Sequence, residues 1–335
     1  MTLLPANTPR SFYRGAGRIH RFRGVAAPED PFYPEDWIAS TTSRFQQAPL
    51  GLTTLPDGQL LADAIAESPK WWLGKEHVAA HGADPAILVK LLDAGQRLPL
   101  HVHPDRPFAT DHLASPYGKT EAWVIVEAAP DAVVHLGFAR DVEPEELADW
   151  VANQRVDAML AATNAVPVRA GDAVLCPAGV PHAIGAGILL VEVQEPTDFS
   201  VLLEWEGFAI DGAAAGHLGL GYDLALSCVD RAAWTPDRLT GLRGTRAGDR
   251  PGVQRLFTEL ADPFFAAERL HPDPESVLEP AFSVVVVTSG SGVLEAEHDA
   301  PLAVRAGDTA VVPYAAGRCV LRGPVEAVRC KPATP

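Results

Sequence analysis

GQRLPLHVH (residues 95–103) and GDAVLCPAGVPH (residues 171–182) stand out in this chain of 335 residues, because each ends in imidazole after a glycine-led, mostly apolar run. His101 and His103 are two residues apart, and alternate side chains of a strand share a face, so both can point into one interior. His182 follows a Pro and Gly turn that can deliver it to the same interior from a neighbouring strand. Neutral imidazole suits zinc, iron, nickel and copper, and one carboxylate completes a mixed nitrogen and oxygen site. Any one of these histidines alone is more often an ordinary hydrogen-bonded residue. The spacing of the three together carries the metal reading.

The flanking sequence is β in character. ILVKLLDAGQ (87–96), WVIVEAAPDAVVHLGF (123–138) and ILLVEVQE (188–195) are short β-branched and aliphatic runs broken by Gly and Pro, the pattern of an antiparallel sandwich or barrel. Helical patterns interrupt it at LPDGQLLADAIAESPKWW (55–72), at YDLALSCVDRAAW (222–234) and at TPDRLTGL (235–242). A further helical insertion is expected at about 141–165, where Leu147, Trp150 and Val151 fall at i, i+3 and i+4 behind acidic first-turn residues. VRAGDAVLCPAGVPH, starting at Val168, is echoed by VRAGDTAVVPYAAGR, starting at Val304, so two related β units are expected. In the second copy Arg318 takes the place of His182, and no His-x-His precedes it.

Composition narrows the function classes. Hydrophobic residues at 47% and charged residues at 21% describe an ordinary globular chain. A net charge of -16 with no basic run argues against nucleic acid and anionic lipid as partners. No apolar run reaches signal-peptide or membrane-span length, so a cytoplasmic location is expected. Cys176, Cys228, Cys319 and Cys330 are scattered without a CxxC pair and read as reduced packing residues. Nothing in the sequence signals an oligomeric state.

The two opening stretches match the cupin motifs G(X)5HXH and G(X)5PXG(X)2H position by position. HVHPD (101–105), GKTEAW (118–123) and PAGVPHAIGAGILLVEVQEPTD (177–198) further resemble the type I mannose-6-phosphate isomerases, whose segments read QVHPD, GKTE and PAGxxHAIGxGxxLxExQ. DWIAS (36–40) looks like that family's WExS. The resemblance implies an all-β protein of two cupin jelly-roll barrels: a metal-binding domain over 1–255, with an N-terminal wrapper and the helical insertion, and a metal-free domain over 256–335. It places the ligands of one zinc ion, or another divalent metal, on His103, Glu121 and His182, with His101 standing for a family glutamine. It implies catalytic or substrate-facing roles for Lys119 and Glu192, and substrate contacts for Ser40. Lys119 and Glu121 share a face if the strand already runs there, and Glu192, between Val191 and Val193, faces either the pocket or solvent.

The implied activity is zinc-dependent aldose–ketose interconversion of the mannose 6-phosphate and fructose 6-phosphate type through a cis-enediol. One departure bears on the substrate. Where the family continues TTYRLYDW, this chain reads FSVLLEWEGF, which puts Leu202 in place of an arginine that acts on the substrate. Leucine cannot pair with phosphate or stabilise an enediolate. Arg106, Arg140 or Arg318 could supply the charge, while Glu204 and Glu206 could bind neutral hydroxyls. The alternatives are therefore an isomerase of an unphosphorylated sugar such as mannose, a non-catalytic sugar-binding cupin, and an iron-dependent cupin oxygenase.

Overall fold

The computed structural model describes residues 1–248 and 250–334. Its first β unit is two facing five-stranded antiparallel sheets. One sheet runs in the order Glu35–Ile38, Leu88–Ala94, Ile188–Gln194, Glu121–Ala128, Ala173–Cys176. The other runs Val201–Leu202, His101–Val102, His182–Ile184, Val133–Phe138, Thr163–Pro167. This is the jelly roll expected of a cupin, and strand alternation explains its chemistry. In Ile188–Gln194, Leu189, Val191 and Val193 join a buried apolar cluster while Glu192 lines the barrel cavity.

The second β unit begins with the hairpin Thr245–Ala247 and Val253–Leu256 and carries the long strand Ser283–Ala296 at its centre. The strand Thr2–Leu3, from the other end of the chain, pairs with Thr309–Val312 at its edge. One continuous hydrophobic cluster joins the two units, with Val89, Val191 and Val193 of the first packed into the same core as Phe257, Phe265 and Phe282 of the second. The all-β, two-cupin architecture with helical additions is what the chain adopts.

The insertion forms as two helices, Pro144–Ala152 and Val156–Ala162, and buries Leu147, Trp150 and Val151 against Phe138. Leu61–Glu67 and Pro69–Leu73 take the place of the N-terminal helical pattern. Among the helices with no expectation behind them, one bears on the site. Arg106–Leu113 fills the gap between His103 and Glu121, capped by Asp105, whose side chain accepts from the Phe108 amide at 2.9 Å.

Candidate metal centre

The sheet registers bring the ligand candidates together. His101 and His182 are directly paired neighbours on one sheet. Glu121 lies on the facing sheet, paired with Cys176 on one side and Gln194 on the other. Two glycines make the approach possible. A Cβ on Gly118 would lie 2.6 Å from the Pro104 carbonyl oxygen, so only glycine lets the GKTE segment pack on the HVHPD turn, where the Lys119 amide donates to that oxygen at 2.9 Å. Gly179 has φ +85° in the Pro-x-Gly turn and donates its amide to the His103 carbonyl at 2.8 Å.

The three imidazoles are oriented alike. Nδ1 of His101 donates to the Pro99 carbonyl at 2.8 Å, that of His103 to Phe199 at 2.6 Å, and that of His182 to Val180 at 2.8 Å. With the proton on Nδ1, each ring turns an Nε2 lone pair inward. The rings converge, with centroids 4.1 Å apart for His101 and His182, 4.8 Å for His103 and His182, and 4.9 Å for His101 and His103. Burial and the neighbouring rings hold His101 well below the usual histidine range. Burial and the Lys119 ammonium bring His103 down to about 3, so both rings are neutral.

Glu121 Oε2 approaches His103 Nε2 at 2.9 Å, and Oε1 approaches His182 Nε2 at 3.2 Å. The Lys119 ammonium already reaches the first pair, but in the second an acceptor faces an acceptor, and His182 Nε2 is buried with no hydrogen-bond donor. An arrangement of this kind is repulsive until a cation takes the shared lone pairs, so His101, His103, Glu121 and His182 fit a divalent metal. The Cys176 thiol is near enough to belong to the cluster, but burial and the charge of Glu121 push its ionisation well up, leaving it a packing residue.

A cavity of about 620 Å³ opens onto two of these ligands, His101 and Glu121. Lys119 sits on its floor, 2.9 Å from His103 Nε2 and 3.0 Å from Glu121 Oε2. Burial alone would lower its pKa, but the carboxylates of Glu121, Glu192 and Asp198 outweigh that and raise it, so it stays an ammonium. Glu192 also lines the cavity. Burial, reinforced by the Glu121 charge, lifts its carboxyl to about 8 against the opposing pull of Lys119 and Lys90.

Other sequence candidates lie elsewhere. Ser40 is buried off the cavity, its hydroxyl donating to the Thr42 carbonyl at 2.9 Å. Glu204 is also outside the lining, held by Arg97 through two bonds of 2.7 and 2.6 Å and by the Leu100 amide at 2.8 Å. Arg106 pairs with Glu195, Arg140 pairs with Glu146, and Arg318 is exposed on the second cupin. Glu206 is exposed too. Leu202 is paired with His101 and forms part of the cavity wall, as does Leu218.

Besides Lys119, the cations that line the cavity are Arg10, Arg44 and Lys90, which sequence reading passed over. Lys90 left a signal: it is the one charge within the apolar run ILVKLL, and a lysine at such a place needs partners. It finds them in Asp198 at 3.5 Å, Glu35 at 3.8 Å and Glu192 at 3.9 Å. Glu35 in turn accepts from Tyr13, Ser11 and Trp37. Against the cost of burial, Lys90 and Arg44 bring its carboxyl down to about 2. Arg44, in a polar stretch, gave no such sign.

No family model matches the chain. A mannose-6-phosphate isomerase of Streptococcus mutans is 38% identical over 112 residues, which is 33% of this chain and 34% of that protein. The chain thus matches about a third of that relative's length. Over whole chains the fold is similar to the crystal structure of the mannose 6-phosphate isomerase from Bacillus subtilis, with a TM-score of 0.77 at 20% identity, covering 98% of both chains. It is similar also to a mannose 6-phosphate isomerase bound with zinc and yttrium, with a TM-score of 0.75 at 15% identity, covering 100% of both. The chain is thus similar to mannose-6-phosphate isomerases over about a third of its sequence and in fold across its length.

Proposed function

We propose that the protein is a metal-dependent aldose–ketose isomerase, interconverting an aldose and a ketose of the mannose 6-phosphate and fructose 6-phosphate type through a cis-enediol. The observation that carries this reading is the placement of Lys119 and Glu192 in one cavity with His101 and Glu121, Lys119 lying 2.9 Å from His103 Nε2. Zinc, which one structural neighbour contains, is the proposed metal; at His101, His103, Glu121 and His182 it supplies Lewis-acid polarisation and a template for substrate oxygens.

The chain's own groups divide the proton chemistry between them. Glu192, with a carboxyl held near 8, can take the C2 proton as carboxylate and return it to C1 as acid. Lys119 stays cationic and faces the negative charge that develops on the substrate oxygens as the enediol forms. Glu35, fully bound by its neighbours, keeps Lys90 in place at the cavity wall. Burial of the floor removes competing water.

A second reading concerns the substrate's far end. Leu202 presents an apolar wall beside His101, while Lys90 and Arg44 already face carboxylates, which favours an unphosphorylated sugar. Proton NMR in D2O separates the two. Zinc-loaded protein is offered mannose 6-phosphate and mannose in parallel, with deuterium exchange at C2 and ketose formation as the signals. Turnover of the phosphate supports the first reading, and turnover of mannose alone supports the second. Zinc-loaded protein inert toward both would remove the isomerase proposal in either form. A cytoplasmic placement is proposed with this activity; among the described residues no helix is long and apolar enough to cross a membrane.

A further inference from the structure

Two buried glutamates outside the cavity lining each stand directly behind a ligand-bearing strand. Glu204 accepts the amide of Leu100, one residue before His101, at 2.8 Å. Glu195 accepts the amide of Thr120, one residue before Glu121, at 2.9 Å, and returns its own amide to the Thr120 carbonyl at 3.1 Å. Both carboxylates are almost wholly buried, at 2% and 1% exposure. A buried carboxylate needs a cation, and each has an arginine: Arg97 on Glu204, and Arg106, whose Nε lies 2.6 Å from Glu195 Oε1.

The two pairs differ in what stands behind them. Arg106 belongs to the helix that follows His103 and also reaches the second cupin, donating to the Pro263 carbonyl at 3.2 Å and lying 4.7 Å from the Phe264 ring centre. Thr120 is held on its other side as well, its hydroxyl accepting the Ala178 amide of the Pro-x-Gly turn at 3.3 Å. A chain of contacts thus runs from the second cupin through Arg106, Glu195 and Thr120 to Glu121.

We infer that Glu195 and Arg106 are positioning residues of the metal centre, setting where the Glu121 carboxylate sits and making that position depend on the docked second cupin. The inference rests on the reading of Glu121 and the three histidines as metal ligands, and not on the sugar turned over. Partners of this kind orient a ligand without touching the ion, and their loss typically weakens metal binding by about 10- to 100-fold.

Cobalt(II) is the probe, because its absorption reports coordination geometry and its affinity is measured by chelator competition, both independent of turnover. Glu195→Ala is expected to bind cobalt about 10- to 100-fold more weakly with an altered visible spectrum. Glu195→Gln, whose amide oxygen can still accept from Thr120, should recover most of both. Arg106→Leu, at a half-exposed position that tolerates change, should move affinity and spectrum the same way by a smaller factor and serves if Glu195→Ala does not fold. Wild-type protein that takes up no cobalt would overturn the metal centre and this inference together. Wild-type protein that binds cobalt while the folded variants keep its affinity and spectrum would overturn this inference alone.

Discussion

Lys90 and Glu192 in the first cupin and Glu268 and Arg329 in the second occupy corresponding places with the charges exchanged. The sequence echo from Val168 and Val304 sets Val174 against Ala310 and Cys176 against Val312. Val174 pairs with Trp123, which pairs with Glu192, which pairs with Lys90. Ala310 pairs with Val285, which pairs with Arg329, which pairs with Glu268. By the same count Cys176 leads to Glu121 and Val312 to Ser283.

In the second cupin each nitrogen of the central cation has a partner. Arg329 donates to Ser283 at 3.0 Å, to Glu268 at 3.2 Å and to the Glu279 carbonyl at 2.7 Å, and Lys331 closes on Glu268 at 2.9 Å. In the first cupin a carboxylate replaces the serine, and Lys90 and Glu192 stay 3.9 Å apart on the wall of an open cavity. A buried polar row that satisfies itself holds a fold together. One left partly paired is available to a metal and a substrate.

The largest expected effect lies in the ligand set. His103→Ala or His182→Ala should abolish zinc binding, read as metal content after dialysis. Turnover should fall at least on the order of 10³-fold, since the metal supplies several kcal/mol of charge stabilisation. Ser283→Ala, at the place corresponding to Glu121, should leave both unchanged. If it altered zinc content, the division of labour between the cupins would be wrong.

Lys119→Met comes next. Turnover should drop by about 10²-fold, within the range expected for one acid–base or electrostatic group, while zinc content stays at one per chain. Loss of zinc together with turnover would make Lys119 a support of Glu121 and not a catalytic group.

The mirror-image test falls on stability. Arg329→Met leaves Glu268 buried with Lys331 and Arg250 only, and should cost about 3 kcal/mol in urea unfolding, as breaking a buried pair does. The folded fraction should retain its turnover. An equal loss of stability from Lys90→Met would show that the open row of the first cupin carries as much folding energy as the closed one.

The parts of this contrast that depend on local pattern were legible in the sequence. His101, His103 and His182 announced themselves because strand periodicity and a Pro-x-Gly turn are short-range features, and the echo at Val304 marked the second barrel. Glu121 and Lys119 came through resemblance, since the helix Arg106–Leu113 separates them from the histidines and no local spacing links them. Glu204 lies outside the cavity lining, because proximity along the chain to Leu202 says nothing of which face of the barrel a side chain takes; Arg97, more than a hundred residues earlier by number, pairs with it. Arg10, Arg44 and the support role of Glu195 depend on pairings across the whole fold, which sequence spacing does not encode.

The smallest effect is a pH limb, and it sets the two buried carboxyls of this comparison against each other. Glu192 is raised to about 8 by burial and by Glu121, whereas Glu268, despite its burial, is brought down to about 2 by Arg329 and Lys331. A base that must be ionised works in proportion to its carboxylate fraction, so kcat/KM should rise about tenfold per pH unit below the Glu192 midpoint and flatten above it. That midpoint lies at or below about 8, because positive charge bound beside Glu121 favours the carboxylate. For folding of the metal-free protein the signs are opposite. Glu268, depressed from its usual 4.5, contributes stability that is present above 4.5 and lost as pH falls toward 2. Glu192, raised from 4.5, is neutral in the fold while ionised in the unfolded chain, so it draws stability down as pH rises from 4.5 to about 8. Glu192→Gln should therefore remove both the rising limb of kcat/KM and the decline of metal-free stability toward pH 8, leaving the acid-side loss from Glu268 in place. A rate limb that survives Glu192→Gln would assign the base to another group in the cavity and leave the closed row of the second cupin as the only carboxyl that the comparison explains.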